Sequence, residues 1–119
     1  MLKSYIAFDI ETTGLSPEEN EIIEIGALKV RDGKVQERYM EFIKPKLSIP
    51  ANITGITGIT NEMVENARCR EEVIPDFLHF CEQDILIGHN VLFDYSFVRI
   101  SAESLGHTFE KDGIDTLKI

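Results

Sequence analysis

Asp9 and Glu11 stand two residues apart at the end of an apolar run, Tyr5-Ile-Ala-Phe-Asp-Ile-Glu11, and Thr12, Thr13, Gly14 and Leu15 follow at once. In an extended strand every second side chain shares a face. Ile6, Phe8 and Ile10 therefore belong to one face, and Tyr5, Ala7, Asp9 and Glu11 to the other. Two carboxylates so placed repel each other and are costly to desolvate. A hard divalent cation relieves both problems, because it takes carboxylate oxygens as ligands. A plainer alternative stays open for Asp-x-Glu taken alone: acids facing solvent or paired with lysines. The small residues after the acids carry free backbone N–H groups and would let another chain, such as a phosphodiester backbone, come close.

A third acid sits in Gly88-His-Asn-Val-Leu-Phe-Asp94. Asn90 is placed to cap a helix, which puts Asp94 in the first turn, where the helix dipole favours an ionised carboxylate. Read alone, Asp94 could serve that dipole or the chemistry.

Phe8-Asp-Ile-Glu-Thr-Thr-Gly-Leu15 resembles the first motif of the DEDD-type (DnaQ-like) 3′–5′ exonucleases, the family of the proofreading (epsilon) subunit of bacterial DNA polymerase III. Gly88-His-Asn-x-x-Phe-Asp94 resembles the second motif. The resemblance implies hydrolysis of phosphodiester bonds at the 3′ end of single-stranded DNA, with two Mg2+ or Mn2+ ions as cofactors. Two such ions about 4 Å apart polarise the attacking water and clamp the leaving oxygen. Asp9, Glu11 and Asp94 would be the catalytic metal ligands, Asp9 bridging, Glu11 on the nucleophile side and Asp94 acting directly or through a water. Thr12, Thr13, Gly14 and Leu15 would hold the terminal nucleotide. Ile56 and Thr57, from Ile53-Thr-Gly-Ile-Thr57, would border it, and Phe93 would support its base. His89 and Asn90 belong to the second motif, with His89 holding the turn rather than acting as a base. Relatives that trim RNA, such as ribonuclease T or oligoribonuclease, are an alternative, as is a non-catalytic remnant acting as a binding module. A DNA polymerase subunit is the implied protein partner.

The family's third motif carries a fourth aspartate, preceded by a histidine or tyrosine, beyond an Ile-Asp-Thr-Leu segment. Here that segment is Ile114–Leu117 and the sequence reaches Ile119. Residues 1–119 are therefore expected to be the first two-thirds or so of an exonuclease domain, inactive or nearly so alone. His107 with Asp112 and His89 with Asp94 share the His-x-x-x-x-Asp spacing, but they and Asp115 are read as decoys.

These acids need elements to hold them. The chain of 119 residues predicts one α/β domain, a ribonuclease H-like mixed five-stranded sheet flanked by helices. Glu21–Val30 reads as a second strand, Asp32-Gly33 as a hairpin turn, and Val35–Ile43 as a third strand. Glu24, between isoleucines, is expected to hydrogen-bond a neighbouring loop. Residues 47–60 read as a loop broken by Pro50, Gly55 and Gly58, with Thr60 capping a short helix over 61–65. Apolar spacing predicts a helix over Glu71–Gln83, with Pro75 allowed only in its first turn. A short strand over 84–88 leads to a helix ending at Gly106. His79 is expected on a solvent-facing rim with no role.

Net charge is −9, from 21 acids and 12 bases, which gives no footprint for tight duplex binding, although bound cations would reverse the sign of an acidic site. Cys69 and Cys81 lack metal-ligand spacing. The N-terminal apolar run is too short and too acidic for a signal peptide, and no stretch is long enough to span a membrane, so a cytoplasmic protein is expected.

Overall fold

β1 (Tyr5–Thr12) lies in the middle of a mixed sheet, with strand order β3-β2-β1-β4-β5. The computed structural model describes residues 3–111 and the backbone of 114–116. β2 (Ile22–Arg31) and β3 (Lys34–Phe42) continue antiparallel from β1. Asp32 and Gly33 join them with positive φ values of 53° and 76°, the pair a tight hairpin turn demands. β4 (Leu86–Gly88) runs parallel to β1, and the three-residue β5 (Ile114–Thr116) runs parallel to β4 at the edge. The expected sheet is thus present. Asp112 lies outside the described residues, and Asp115 falls on β5.

The expected alternation along β1 holds. Ile6, Phe8 and Ile10 are buried, and they share one core with Phe77 of α3 (Arg70–Cys81) and Phe97 and Val98 of α4 (Val91–Ser104). The Phe8 and Phe77 rings lie 5.7 Å apart. At the opposite end of the sheet from the acids, Lys29 is buried under its own ion pairs to Glu37 and Glu82 and over the Phe80 ring at 4.8 Å.

Two expectations are corrected. Residues 51–57 form a helix, α1 (Ala51–Thr57), not a loop. Pro50 precedes its first turn and Gly58 closes it at φ 80°, so these residues mark a helix's two ends rather than its absence. α2 (Asn61–Val64) follows, capped as expected by the Thr60 hydroxyl, which accepts from the Met63 N–H at 3.2 Å. Pro75 lies beyond the first turn of α3. The helix continues through it because the lost bond leaves one half-exposed turn weakened, while Val73, Ile74, Phe77 and Cys81 are fully buried around it. His79 is exposed, as expected.

Two glycines predict opposite outcomes. A Cβ at Gly88 would stand 2.8 Å from the Phe8 carbonyl oxygen, so Gly88→Ala must push β4 from β1 and is expected to cost about 1–3 kcal/mol. A Cβ at Gly55, inside α1, meets open space, so Gly55→Ala is expected to stabilise by about 0.5–1 kcal/mol. Thermal unfolding of the two variants checks both signs.

Candidate active site

β4 stops at Gly88, and β1 continues beyond it. The Ile6 N–H donates to the Ile85 carbonyl at 2.8 Å, so every second amide from there faces the β4 side. Ile10 is the first such amide with no strand left to pair with. An unpaired buried N–H is costly. Asp94, in the first turn of α4, fills the vacancy: its Oδ2 accepts from the Ile10 N–H at 3.2 Å. That contact draws an acid from residue 94 onto the strand that carries Asp9 and Glu11, and Asp94 is only 4% exposed.

The turn from β4 into α4 differs from expectation. Asn90 occupies the N-cap position, but its side chain makes no cap hydrogen bond. Its backbone is left-handed, at φ 55° and ψ 44°, whereas a capping side chain needs an extended N-cap residue. Asn90 and His89 are both exposed, and Phe93 is half-buried against Phe97, with ring centroids 5.1 Å apart.

Burial and the charge of Asp9 shift its neighbours. Burial, then the charge of Asp9 and a hydrogen bond shared with it, push Asp94 up from an ordinary 3.8 to about 7, against the pull of the Ile10 N–H. Burial, then Asp9 and Glu24, raise Glu11. Glu24 does not take the loop hydrogen bond expected of it. It stands directly across from Glu11 in the β1–β2 register, and burial and Asp9 raise it too. The physical reason is the pairing register, which puts Glu24 on the open face beside the other acids. Together Asp9, Glu11 and Glu24 line a groove of about 490 Å³ on that face, floored by Gly26 and Met40, with Arg38 farther along β3. Met40 is 70% exposed there.

The turn after the acids is locked internally. The Thr12 hydroxyl donates to the Gly14 carbonyl at 2.6 Å. The Thr13 hydroxyl accepts from the Glu21 N–H at 2.9 Å, and the Thr13 N–H donates to the Glu21 carbonyl at 2.9 Å. Both hydroxyls are thereby committed within the turn, leaving the backbone of Gly14 and Leu15 as its outward surface. Leu15 is 84% exposed. Thr57 is similarly committed: its hydroxyl donates to Ile53 and accepts from the Ile59 N–H at the end of α1. Ile56, on the same helix, is 78% exposed, and α1 contributes nothing to the acid-bearing groove.

The donor set suits a hard divalent cation in its chemistry, being all carboxylate oxygen, with one buried member, Asp94, raised by burial and then by Asp9. Geometry is not closed by these residues alone. Among the described residues no three carboxylate, imidazole or thiol side chains gather tightly enough to hold a metal ion.

Residues 6–119 match the sequence model of a family described as "Exonuclease". The DNA polymerase III PolC-type of Thermotoga petrophila is 46% identical over 117 residues, covering 98% of this chain and 9% of that protein. The PolC-type polymerase of Clostridium perfringens is 39% identical over 115 residues, covering 97% and 8%. The chain thus spans less than a tenth of these relatives. Among solved structures, product-bound exonuclease I superposes with a TM-score of 0.82 at 17% identity, over 97% of this chain and 30% of that one. E. coli exonuclease I in complex with a dT13 oligonucleotide gives 0.81 at 17% identity, over 96% and 27%. At that identity the likeness is one of fold, the ribonuclease H-like α/β arrangement.

Raised carboxylates predict a pH dependence of stability. Between about pH 4 and 7 the folded metal-free chain holds a proton on Asp94 that the unfolded chain has released, so this contribution is full at low pH and is lost as pH rises through 7. The melting temperature is expected to fall by about 5 °C or more from pH 5.5 to 8. Asp94→Asn, which can still accept from the Ile10 N–H, should flatten that slope, and an unchanged slope in a scanning melt would refute the assignment.

Proposed function

The chain belongs to the exonuclease family, in its DnaQ-like, DEDD-type branch, and from that premise we propose that it removes nucleotides from the 3′ end of single-stranded DNA as the proofreading domain of a PolC-type DNA polymerase III. One observation carries the reading: Asp94, from a second stretch of chain, closes onto the strand that bears Asp9 and Glu11. The high identity to PolC-type polymerases supports the polymerase partner and DNA over RNA. Relatives of bacterial origin support a cytoplasmic location, and no described helix is long and apolar enough to cross a membrane.

Asp9, Glu11 and Asp94 are the residues that would hold magnesium or manganese. When bound, the ions would supply an activated water and neutralise charge on the leaving oxygen. The chain's own contributions are positional. The Ile10 N–H fixes one oxygen of Asp94, and the same carboxyl shares a hydrogen bond with Asp9. The backbone of Gly14 and Leu15, held by Thr12 and Thr13, offers an outward edge to the 3′-terminal nucleotide. Leu15, Ile56 and Phe93 offer apolar surface to its base, His89 and Asn90 form the exposed turn beside Asp94, and Thr57 keeps Ile56 in place by closing α1.

The test is shortening of 5′-labelled single-stranded DNA by the natural full-length polypeptide. Ladders should form from the 3′ end and stop with EDTA. Asp9→Ala and Asp94→Ala should each lower kcat by about a thousandfold or more, since ligands that act as a unit fail together. Shortening that survives both EDTA and Asp9→Ala would end the proposal.

A further inference from the structure

Glu21 joins two parts of the molecule that no strand pairing connects. Its backbone holds the turn after the acids, through the Thr13 hydroxyl and the Thr13 N–H, both at 2.9 Å. Its carboxylate reaches the other way. Oε1 accepts from the Lys46 N–H at 2.8 Å and Oε2 from the Leu47 N–H at 3.2 Å. Lys46 and Leu47 lie on the connection from β3 to α1, and α1 carries Ile56. That connection is tied elsewhere to other segments: the Lys44 N–H donates to the Arg68 carbonyl at 2.9 Å, and the Ile49 N–H to Asn61 Oδ1 at 2.8 Å. Glu21 alone among these anchors also belongs to the turn that presents Gly14 and Leu15. Asn20, its neighbour, stiffens the same turn. Its Oδ1 accepts from the Ser16 N–H at 2.9 Å, and its side chain packs so close to Gly14 that a Cβ there would lie 2.5 Å away.

We infer that Glu21 is a positioning residue that ties the turn presenting the Gly14–Leu15 edge to the connection leading into the Ile56-bearing helix, and so holds two surfaces that a 3′-terminal nucleotide would meet. The inference rests on the exonuclease reading, which makes those two surfaces the walls of the substrate site. The carboxylate is held by two backbone donors and touches neither Asp9 nor the reacting end, so its effect passes through the walls. Charge-assisted bonds of a carboxylate to backbone N–H groups are among the stronger hydrogen bonds. Removing the side chain unties the Lys46 and Leu47 amides from the turn while leaving the Glu21 backbone bonds to Thr13 in place.

The experiment uses a single-stranded oligothymidylate with 2-aminopurine at its 3′-terminal position, and a second carrying the probe four nucleotides inward, with Ca2+ present to prevent cleavage. Affinity is read by anisotropy and base stacking by 2-aminopurine fluorescence, on the natural full-length polypeptide. In Glu21→Ala, binding should weaken about tenfold and the terminal probe should brighten while the inner probe does not change. Glu21→Gln keeps the length and one acceptor oxygen, so it should recover most of the loss. Should Glu21→Ala fail to fold, Glu21→Gln decides, with an expected two- to fourfold weakening confined to the terminal probe. Folded variants with wild-type affinity and wild-type terminal fluorescence would overturn the inference while leaving the exonuclease reading intact. A wild-type protein that does not bind single-stranded 3′ ends would overturn that reading instead.

Discussion

The amide of Ile10 and the carboxylate of Asp94 form the contact on which the rest depends. β4 is three residues long, so β1 outruns its parallel neighbour and leaves a donor inside the protein. The first turn of α4 supplies the acceptor for it. The same bond fixes where α4 sits on the sheet, and hence which of its residues, Phe97, Val98 and Ala102, enter the core. Packing and chemistry thus share one constraint. A side chain that completes a sheet's hydrogen bonding is also the acid that meets Asp9.

The cost of that economy is electrostatic. Four carboxylates lie at or beside one end of a sheet in a chain that is already strongly acidic, and three of them, Glu11, Glu24 and Asp94, are pushed upward by burial and by Asp9. Arg38, the cation nearest along the groove, stands two rows down the sheet, opposite Leu28. Burial and mutual repulsion leave Asp94 with a pKa of about 7, which makes its proton the readiest to exchange for a positive partner.

Much of this was readable in the residues. Alternation in β1 gave the buried and open faces, because period two has a direct burial meaning. Asp32-Gly33 gave the hairpin because few residues tolerate two positive φ values in succession. Asp9, Glu11 and Asp94 were legible as motif strings, although the bond that brings Asp94 to the Ile10 amide depends on the shortness of β4, which no local pattern reveals. α1 was missed because Pro50 and Gly58 were read as breakers when they were boundaries. Glu24 was misread because its neighbours along the chain are isoleucines, while its neighbour across the sheet is Glu11. The ties made by Glu21 and Asn20 were invisible for the same reason: they connect residues up to 26 positions apart through backbone amides, which carry no sequence signature.

The helices α1 and α2 rest on a cluster of their own, Ile23, Ile49, Ile59 and Val64, separate from the larger core beneath the sheet. Cooperative units in proteins tend to follow such divisions. Ile53 packs α1 onto that small cluster, which Ile23 seats on β2, so Ile56 belongs to one packing unit and the strand that carries Asp9 and Glu11 to another.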